Sequence, residues 1–131
     1  MIVVDASAIL EILLNRPAAA RLRSRLLASD ETLHAPYLID VEVAEVVRRY
    51  VLAGTMPEAR GELSLRTHFA LPIERYPHDP LWRRAWDLRA NVTAYDAMYV
   101  ALAEALGAPL VTADGKLAKV VAKIVRVEAI A

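Results

Sequence analysis

The 131-residue chain carries sixteen basic and sixteen acidic residues and no cysteine, so disulfides, thiolate metal sites and cysteine nucleophiles are excluded. Zero net charge gives no global field to draw the protein onto nucleic acid, although a local basic patch beside an acidic cleft would not show in the sum. An apolar share of 56% argues against disorder and predicts one domain over residues 1–131, with a tightly packed core or an additional apolar interface.

The opening "MIVVD" is a short, continuous, β-branched run, the pattern of a parallel strand buried on both faces, and it ends on Asp5. Apolar residues then recur at helical spacing from Ser7 to about Leu14 and from Pro17 to about Ala28, with "NRP" breaking the run. "ETLHAP" reads as an extended segment. "LIDVEVAEVVRRYVLAG" follows as a long amphipathic helix with Glu42 in its opening turns and Gly54 as the residue just past its end. "MPEARGELSLRTHFA" predicts a helix despite Gly61, and "LPIERYP" a brief strand. In "DPLWRRAWDLRAN" a helix places Trp82 and Trp86 on one face, which predicts that both are core. "VTAYDAMYVALAEALGA" carries the strongest helical signal, with Thr93 as N-cap, Asp96 in the first turn, Gly107 near the end and Pro109 beyond it. "PLVTAD" predicts a strand, "GKLAKVVAK" a last helix and "IVRVEAI" a closing strand. Helices alternating with short apolar strands predict a three-layer α/β/α sandwich on a mainly parallel sheet, in which ligands bind beyond the carboxyl ends of the strands.

Four acids stand out against this pattern, and each has an ordinary structural use. Asp5 can cap a helix, Glu42 can complement a helix dipole, Asp96 stands at the capping-box spacing from Thr93, and Asp114 before Gly115 suits a turn or N-cap. Three of them lie where a strand or loop hands over to a helix, and the fourth opens a helix that can lie alongside, so a parallel sheet would bring them together. Converging carboxylates repel unless a cation joins them. Carboxylates and waters without histidine or cysteine at ligand spacing point to Mg²⁺ or Mn²⁺ rather than Zn²⁺. Such a site can orient a water, lower its pKa and stabilise charge on a phosphodiester.

Thr112 and Ser7 sit beside two of these acids, either as hydrogen-bond partners of the site or as ordinary strand-end hydroxyls. His34, His68 and His78 show no paired spacing and are expected on loops or helix surfaces, with no metal role. Arg48 and Arg49 read as solvated helix charges, whereas Arg16, Arg89 and Lys116 are expected nearer the cleft, where they can meet phosphates.

"VVDASA", "APYLIDVEVAEVVRR", "RAWDLRANVTAYDAMYVALAEAL" and "LVTAD" resemble, in this order and over nearly the whole chain, the PIN-domain family, and look most like the VapC-type toxins of bacterial toxin–antitoxin pairs. The resemblance implies a Mg²⁺- or Mn²⁺-dependent endoribonuclease. The acids matching the motif are Asp5, Glu42, Asp96 and Asp114, with Thr112 matching its threonine. It further implies a homodimer and a cognate antitoxin covering the cleft. One departure stands at Glu45, where relatives often carry an asparagine. Other readings are an RNA-processing PIN nuclease without an antitoxin, a non-catalytic PIN module that binds RNA or protein, and a phosphoaspartyl phosphatase. The last wants a second aspartate where Ser7 stands. No basic leader precedes Asp5 and no apolar run reaches about 18 residues, so a cytoplasmic protein without a membrane span is expected.

Overall fold

The computed structural model of the protein describes residues 1–131. Ile2, Val3 and Val4 form the first strand, β1 (Ile2–Val4), and none has exposed surface. Four further strands are β2 (Leu33–Pro36), β3 (Ile73–Tyr76), β4 (Leu110–Thr112) and β5 (Val127–Ala129). Between them lie α1 (Ala6–Leu13), α2 (Ala19–Leu26), α3 (Leu38–Leu52), α4 (Glu58–Ala70), α5 (Trp82–Asp87), α6 (Ala94–Leu106) and α7 (Gly115–Val121). The strands form one sheet in the order β3-β2-β1-β4-β5, and every neighbouring pair is parallel.

This order explains why β1 is wholly apolar. It is the central strand, paired to β2 through Ile2–Leu33 and to β4 through Val3–Leu110, with helices covering both faces. Burying a side chain such as Ile2, Ile9, Leu102 or Leu110 contributes roughly 1.5–3 kcal/mol, which favours this three-layer packing over any single-faced sheet. Helices α1, α2, α3 and α4 pack on one another, while α6 packs on α5 and lies against β1, β2 and β4. Right-handed crossovers assign the first group to one face and α5, α6 and α7 to the other.

The chain runs outward from β1 to β2 and β3, then crosses back to add β4 and β5 on the opposite side. The direction of winding therefore reverses between β1 and β4. A crevice opens beyond the carboxyl ends of neighbouring strands at such a reversal, because their following helices leave toward opposite faces. Asp5 directly follows β1, and Thr112 ends β4.

The helix boundaries follow local chemistry. Gly54 adopts φ 77° just past α3, and Gly107 adopts φ 61° at the end of α6, both in the left-handed region that glycine enters without a Cβ clash. Gly61 has a different use within α4: a Cβ there would stand 2.7 Å from Val51 Cγ2 and 3.3 Å from Val47 Cγ1. Its missing side chain lets α4 sit close on α3.

Three expectations are corrected. Trp82 and Trp86 are 50% and 59% exposed rather than core, because Leu81, Ala85 and Leu88 form the buried stripe of this segment. The tryptophans occupy the next face round, with Arg83 and Arg89 stacked over their rings at 4.5 and 4.7 Å. His34 lies inside the sheet on β2, bonded to Thr32 and Tyr76. His68 on α4 is fully buried, its Nε2 2.7 Å from Asp40, which also accepts from Arg75 Nε. Burial lowers the pKa of both imidazoles. No helix is long and apolar enough to cross a membrane.

Candidate active site

Asp5 takes an extended backbone conformation before α1 and caps that helix, its Oδ1 accepting from the Ala8 N–H at 3.0 Å. The capping use and a role in the cleft are compatible, since capping turns the carboxylate toward the sheet edge. Ser7 Oγ donates to Asp5 Oδ1 at 2.6 Å and Thr112 Oγ1 donates to Asp5 Oδ2 at 2.5 Å. Each hydroxyl also accepts a backbone N–H: Ser7 Oγ accepts from the Ala113 N–H and Thr112 Oγ1 from the Asp114 N–H, both at 3.0 Å, and the two hydroxyl oxygens stand 3.1 Å apart. Asp5, an acceptor on both oxygens, draws the single hydroxyl proton of each residue. The end of β1, the first turn of α1 and the end of β4 are thereby tied together.

Asp114 is the N-cap of α7, accepting from the Lys116 and Leu117 N–H groups at 3.0 and 3.1 Å. Thr93 caps α6 by accepting from the Asp96 N–H at 3.2 Å, but no bond returns from the Asp96 carboxylate to the cap, so this is half of a capping box. The Asp96 side chain is left free to face the cleft. Glu42, one turn into α3, accepts from Tyr99 Oη on α6 at 2.6 Å.

Asp5, Glu42, Asp96 and Asp114 line one cleft of about 700 Å³, together with Ser7, Glu45, Tyr99 and Arg49. Tyr37, Leu38, Val41, Val46 and Tyr95 form an apolar wall beside the acids. Thr112 has no exposed surface and lies behind Asp5, so it acts on the cleft through that carboxylate. Arg16, Arg89 and Lys116 do not line the cleft, contrary to the expectation for them. Arg16 is drawn to Tyr50 and Glu11, and Arg89 lies over Trp86. Arg49, read from sequence as a solvated charge, is the arginine that does line it. Tyr99 was missed altogether. Its signal was its position three residues after Asp96, which puts both side chains on one face of the helix.

The electrostatics of the cleft are unbalanced. None of Asp5, Glu42, Asp96 and Asp114 forms an ion pair, whereas acids elsewhere, such as Glu128 and Glu104, pair with Arg25 and Arg84. Burial raises the Asp5 pKa, opposed by its bonds to Ser7, Thr112 and Ala8, and the Asp96 charge raises it further. Burial likewise raises Glu42, which also feels Asp96 and Asp5, and raises Asp96, which feels Asp114. Asp5, Glu42 and Asp96 thus share one field in which neighbouring negative charge opposes their ionisation.

An all-oxygen donor set with unpaired, mutually repelling carboxylates fits a hard divalent cation. No three His, Cys, Asp or Glu side chains converge closely enough to enclose an ion by themselves. Mg²⁺ keeps several waters and binds through one or two carboxylates rather than in an all-protein cage, so some of these acids would reach it through its waters.

A family model described as PIN domain matches residues 2–123. The chain belongs to the PIN-domain family. Among PIN-domain relatives, VapC ribonuclease Mb0985 of Mycobacterium bovis is 49% identical over 117 residues, covering 89% of this chain and 88% of the relative. Ribonuclease VapC12 of Mycobacterium tuberculosis is 44% identical over 119 residues, covering 91% of each chain. Solved PIN-fold neighbours include VapBC2 from Rickettsia felis bound to a promoter DNA fragment, with TM-score 0.72, 16% identity and 98% of each chain covered. Another is VapC20 of Mycobacterium tuberculosis, described as a sarcin–ricin loop cleaving toxin, with TM-score 0.70, 15% identity, and 91% of this chain and 94% of that one covered. The parallel sheet and its flanking helices are thus the architecture of VapC PIN proteins.

Proposed function

We propose that this PIN domain, acting as one nuclease unit over residues 1–131, is a metal-dependent endoribonuclease and the toxin of a VapC-type toxin–antitoxin pair. The observation that carries the reading is the gathering of Asp5, Glu42, Asp96 and Asp114, all without ion-pair partners, around one cleft at the winding reversal of the sheet. The names of relatives at 44–49% identity supply the substrate class, ribonucleic acid.

Asp5, Asp96, Asp114 and Glu42 would hold the ion, directly or through its waters. A bound Mg²⁺ or Mn²⁺ supplies a water of lowered pKa and neutralises charge growing on the phosphodiester. The chain's own residues do the rest. Ser7 and Thr112 fix both oxygens of Asp5, so this carboxylate cannot swing away from its neighbours. Asp96, unbonded at its cap, and Asp114, oriented by two backbone N–H groups, bring negative charge from two separate helix starts. Arg49 at the cleft wall is positioned to meet a substrate phosphate, and the apolar wall with Tyr37 and Tyr95 offers surface for unstacked bases.

The same wall suits a partner segment. VapBC2 is an antitoxin–toxin assembly, and a cognate antitoxin placing an apolar stretch on Val41 and Tyr95 and a cation among the acids would close the cleft to RNA. Val41, Leu52, Leu63, Phe69 and Trp86, all more than half exposed, supply apolar surface for a homodimer as well. A cytoplasmic location accords with the absence of cysteine and with an RNA substrate. Incubating purified protein with structured and single-stranded RNAs, with Mg²⁺ or Mn²⁺ and with EDTA, tests the reading. Cleavage with a 5′-phosphate product that stops on chelation is expected, and RNA left intact under every metal condition overturns it.

A further inference from the structure

Tyr99 is 1% exposed, yet its hydroxyl reaches the cleft wall and finds one partner, Glu42 Oε1 at 2.6 Å. The bond crosses between helices that share only β2 among their main neighbours: α3 otherwise packs on α1 and α4, and α6 on α5, β1 and β4. No other hydrogen bond or ion pair joins α3 to α6. Asp96 lies three residues before Tyr99, one turn back on the same helix face. One turn of α6 therefore presents both a carboxylate of its own and the hydroxyl that holds a carboxylate of α3.

Glu42 needs holding. Like Asp96 it is carried within a helix, but a full turn in rather than in the first turn, and no backbone N–H fixes its side chain as happens for Asp5 and Asp114. Its longer stem has more rotamers than an aspartate, and beside Asp5 and Asp96 it carries like charge. A buried phenol can donate one proton only, and here that proton goes to Oε1, leaving Oε2 without a hydrogen-bond partner in the protein on a residue that lines the cleft.

We infer that Tyr99 is a positioning residue that clamps Glu42 through Oε1 so that Oε2 is presented to the cation, coupling the α3 acid to Asp96 on α6. The inference rests on the metal-dependent reading above. The competing explanation is that Tyr99 is a core residue whose hydroxyl merely requires an acceptor. The two differ in what Tyr99→Phe does. That change keeps the ring and its packing and leaves no buried donor stranded on α6, while releasing Glu42.

Mn²⁺ affinity is to be measured by calorimetry and by electron paramagnetic resonance, alongside metal-free melting, for wild type, Tyr99→Phe, Glu42→Gln and the double variant. The clamp predicts that Tyr99→Phe weakens Mn²⁺ binding about tenfold, the lower end of what loss of a residue behind a metal ligand costs. On the Glu42→Gln background the same change should cause no further loss. Cleavage by Tyr99→Phe should recover at high Mn²⁺, with KM for RNA unchanged. Unaltered Mn²⁺ affinity in Tyr99→Phe, or an equal loss on both backgrounds, overturns the clamp while leaving the nuclease reading intact. A wild-type chain that binds no Mn²⁺ overturns both. A measurement that needs no variant follows the carboxyl-carbon resonances during Mg²⁺ titration of wild type. Glu42 should shift together with Asp96, and a Glu42 signal that stays still while Asp5 and Asp96 move contradicts the clamp.

Discussion

Thr112 Oγ1 donates to Asp5 Oδ2 across 2.5 Å, joining the end of β4 to the end of β1 over 107 positions of sequence. The two strands lie side by side at the point where the sheet reverses its winding, so their last residues meet at the mouth of the crevice. Thr112 is fully buried and also accepts the Asp114 N–H. One hydroxyl thus sets the direction of one acid and the backbone position of a second.

Thr112→Val keeps the β-branched shape of that residue and removes the hydroxyl. Asp5 loses the donor on Oδ2 and the Asp114 N–H loses its acceptor. Cleavage and Mg²⁺ affinity should fall about 10- to 100-fold, in the range for residues that orient metal ligands. Stability should fall by about 1–3 kcal/mol from the stranded groups, read by urea denaturation. Full activity in this variant would show that Asp5 holds its direction without Thr112.

Charge crowding in the cleft sets a pH dependence. The folded pKa values of Asp5, Glu42 and Asp96 are raised above their ordinary values of 3.8, 4.5 and 3.8. The folded protein binds more protons than the unfolded chain in that window, so these groups stabilise it below their ordinary pKa values. Their contribution is lost as pH rises through the folded values. A divalent cation removes the repulsion only once the acids are ionised. The rise in Tm on adding Mg²⁺ or Mn²⁺ should therefore be larger at pH 8 than at about pH 4, near the ordinary carboxylate values, as read by scanning calorimetry. An equal rise at both values would place the ion away from these carboxylates.

Arg49→Ala should weaken RNA binding in a salt-dependent way. Losing one phosphate contact lowers the slope of log K against log salt by about 0.7 for a single strand. Arg89→Ala should leave the slope unchanged, because that guanidinium lies over Trp86 outside the cleft. Fluorescence anisotropy at several salt concentrations checks both. The reverse ranking would move the phosphate track from α3 to α5.

The exposed apolar residues on α3, α4 and α5 predict self-association. Val41 is 71% exposed and Leu52 69% on α3, and Leu63, Phe69 and Trp86 are each more than half exposed. Light scattering should give twice the chain mass, with little change on adding salt, since the contact is apolar rather than ionic. A monodisperse monomer at micromolar concentration would contradict it.

The order of elements was legible because the central strands β1 and β4 read as short apolar runs and the best-marked helix, α6, has a clear start and stop in Thr93 and Gly107. The grouping of the acids was legible for a topological reason: residues that follow parallel strands share one edge. What the sequence left hidden depends on which side of an element faces inward. A helix of six residues offers too little periodicity to decide between the Leu81–Ala85–Leu88 stripe and the Trp82–Trp86 pair, and the larger side chains misled. His34 and His68 have no burial signal in their spacing, because their partners Tyr76 and Asp40 lie tens of residues away. The same distance concealed Tyr99 behind Glu42, 57 positions apart. Arginines at the cleft were misassigned because proximity in sequence to a motif does not fix the direction of a long side chain.

On the proposed function, four carboxylates from three loop-to-helix junctions and one helix act together on RNA through a divalent cation. The most direct measurement compares RNA cleavage by wild type and by Asp96→Asn, at matched folded concentration, with Mn²⁺ and with EDTA. Asp96 has no ion pair and its carboxylate makes no cap bond, so the amide should leave the melting temperature equal or slightly higher while ending cleavage. Wild type should cut RNA with Mn²⁺ and not with EDTA, and the variant should cut under neither condition. Cleavage by wild type in EDTA, or undiminished cleavage by Asp96→Asn, would contradict the proposed function.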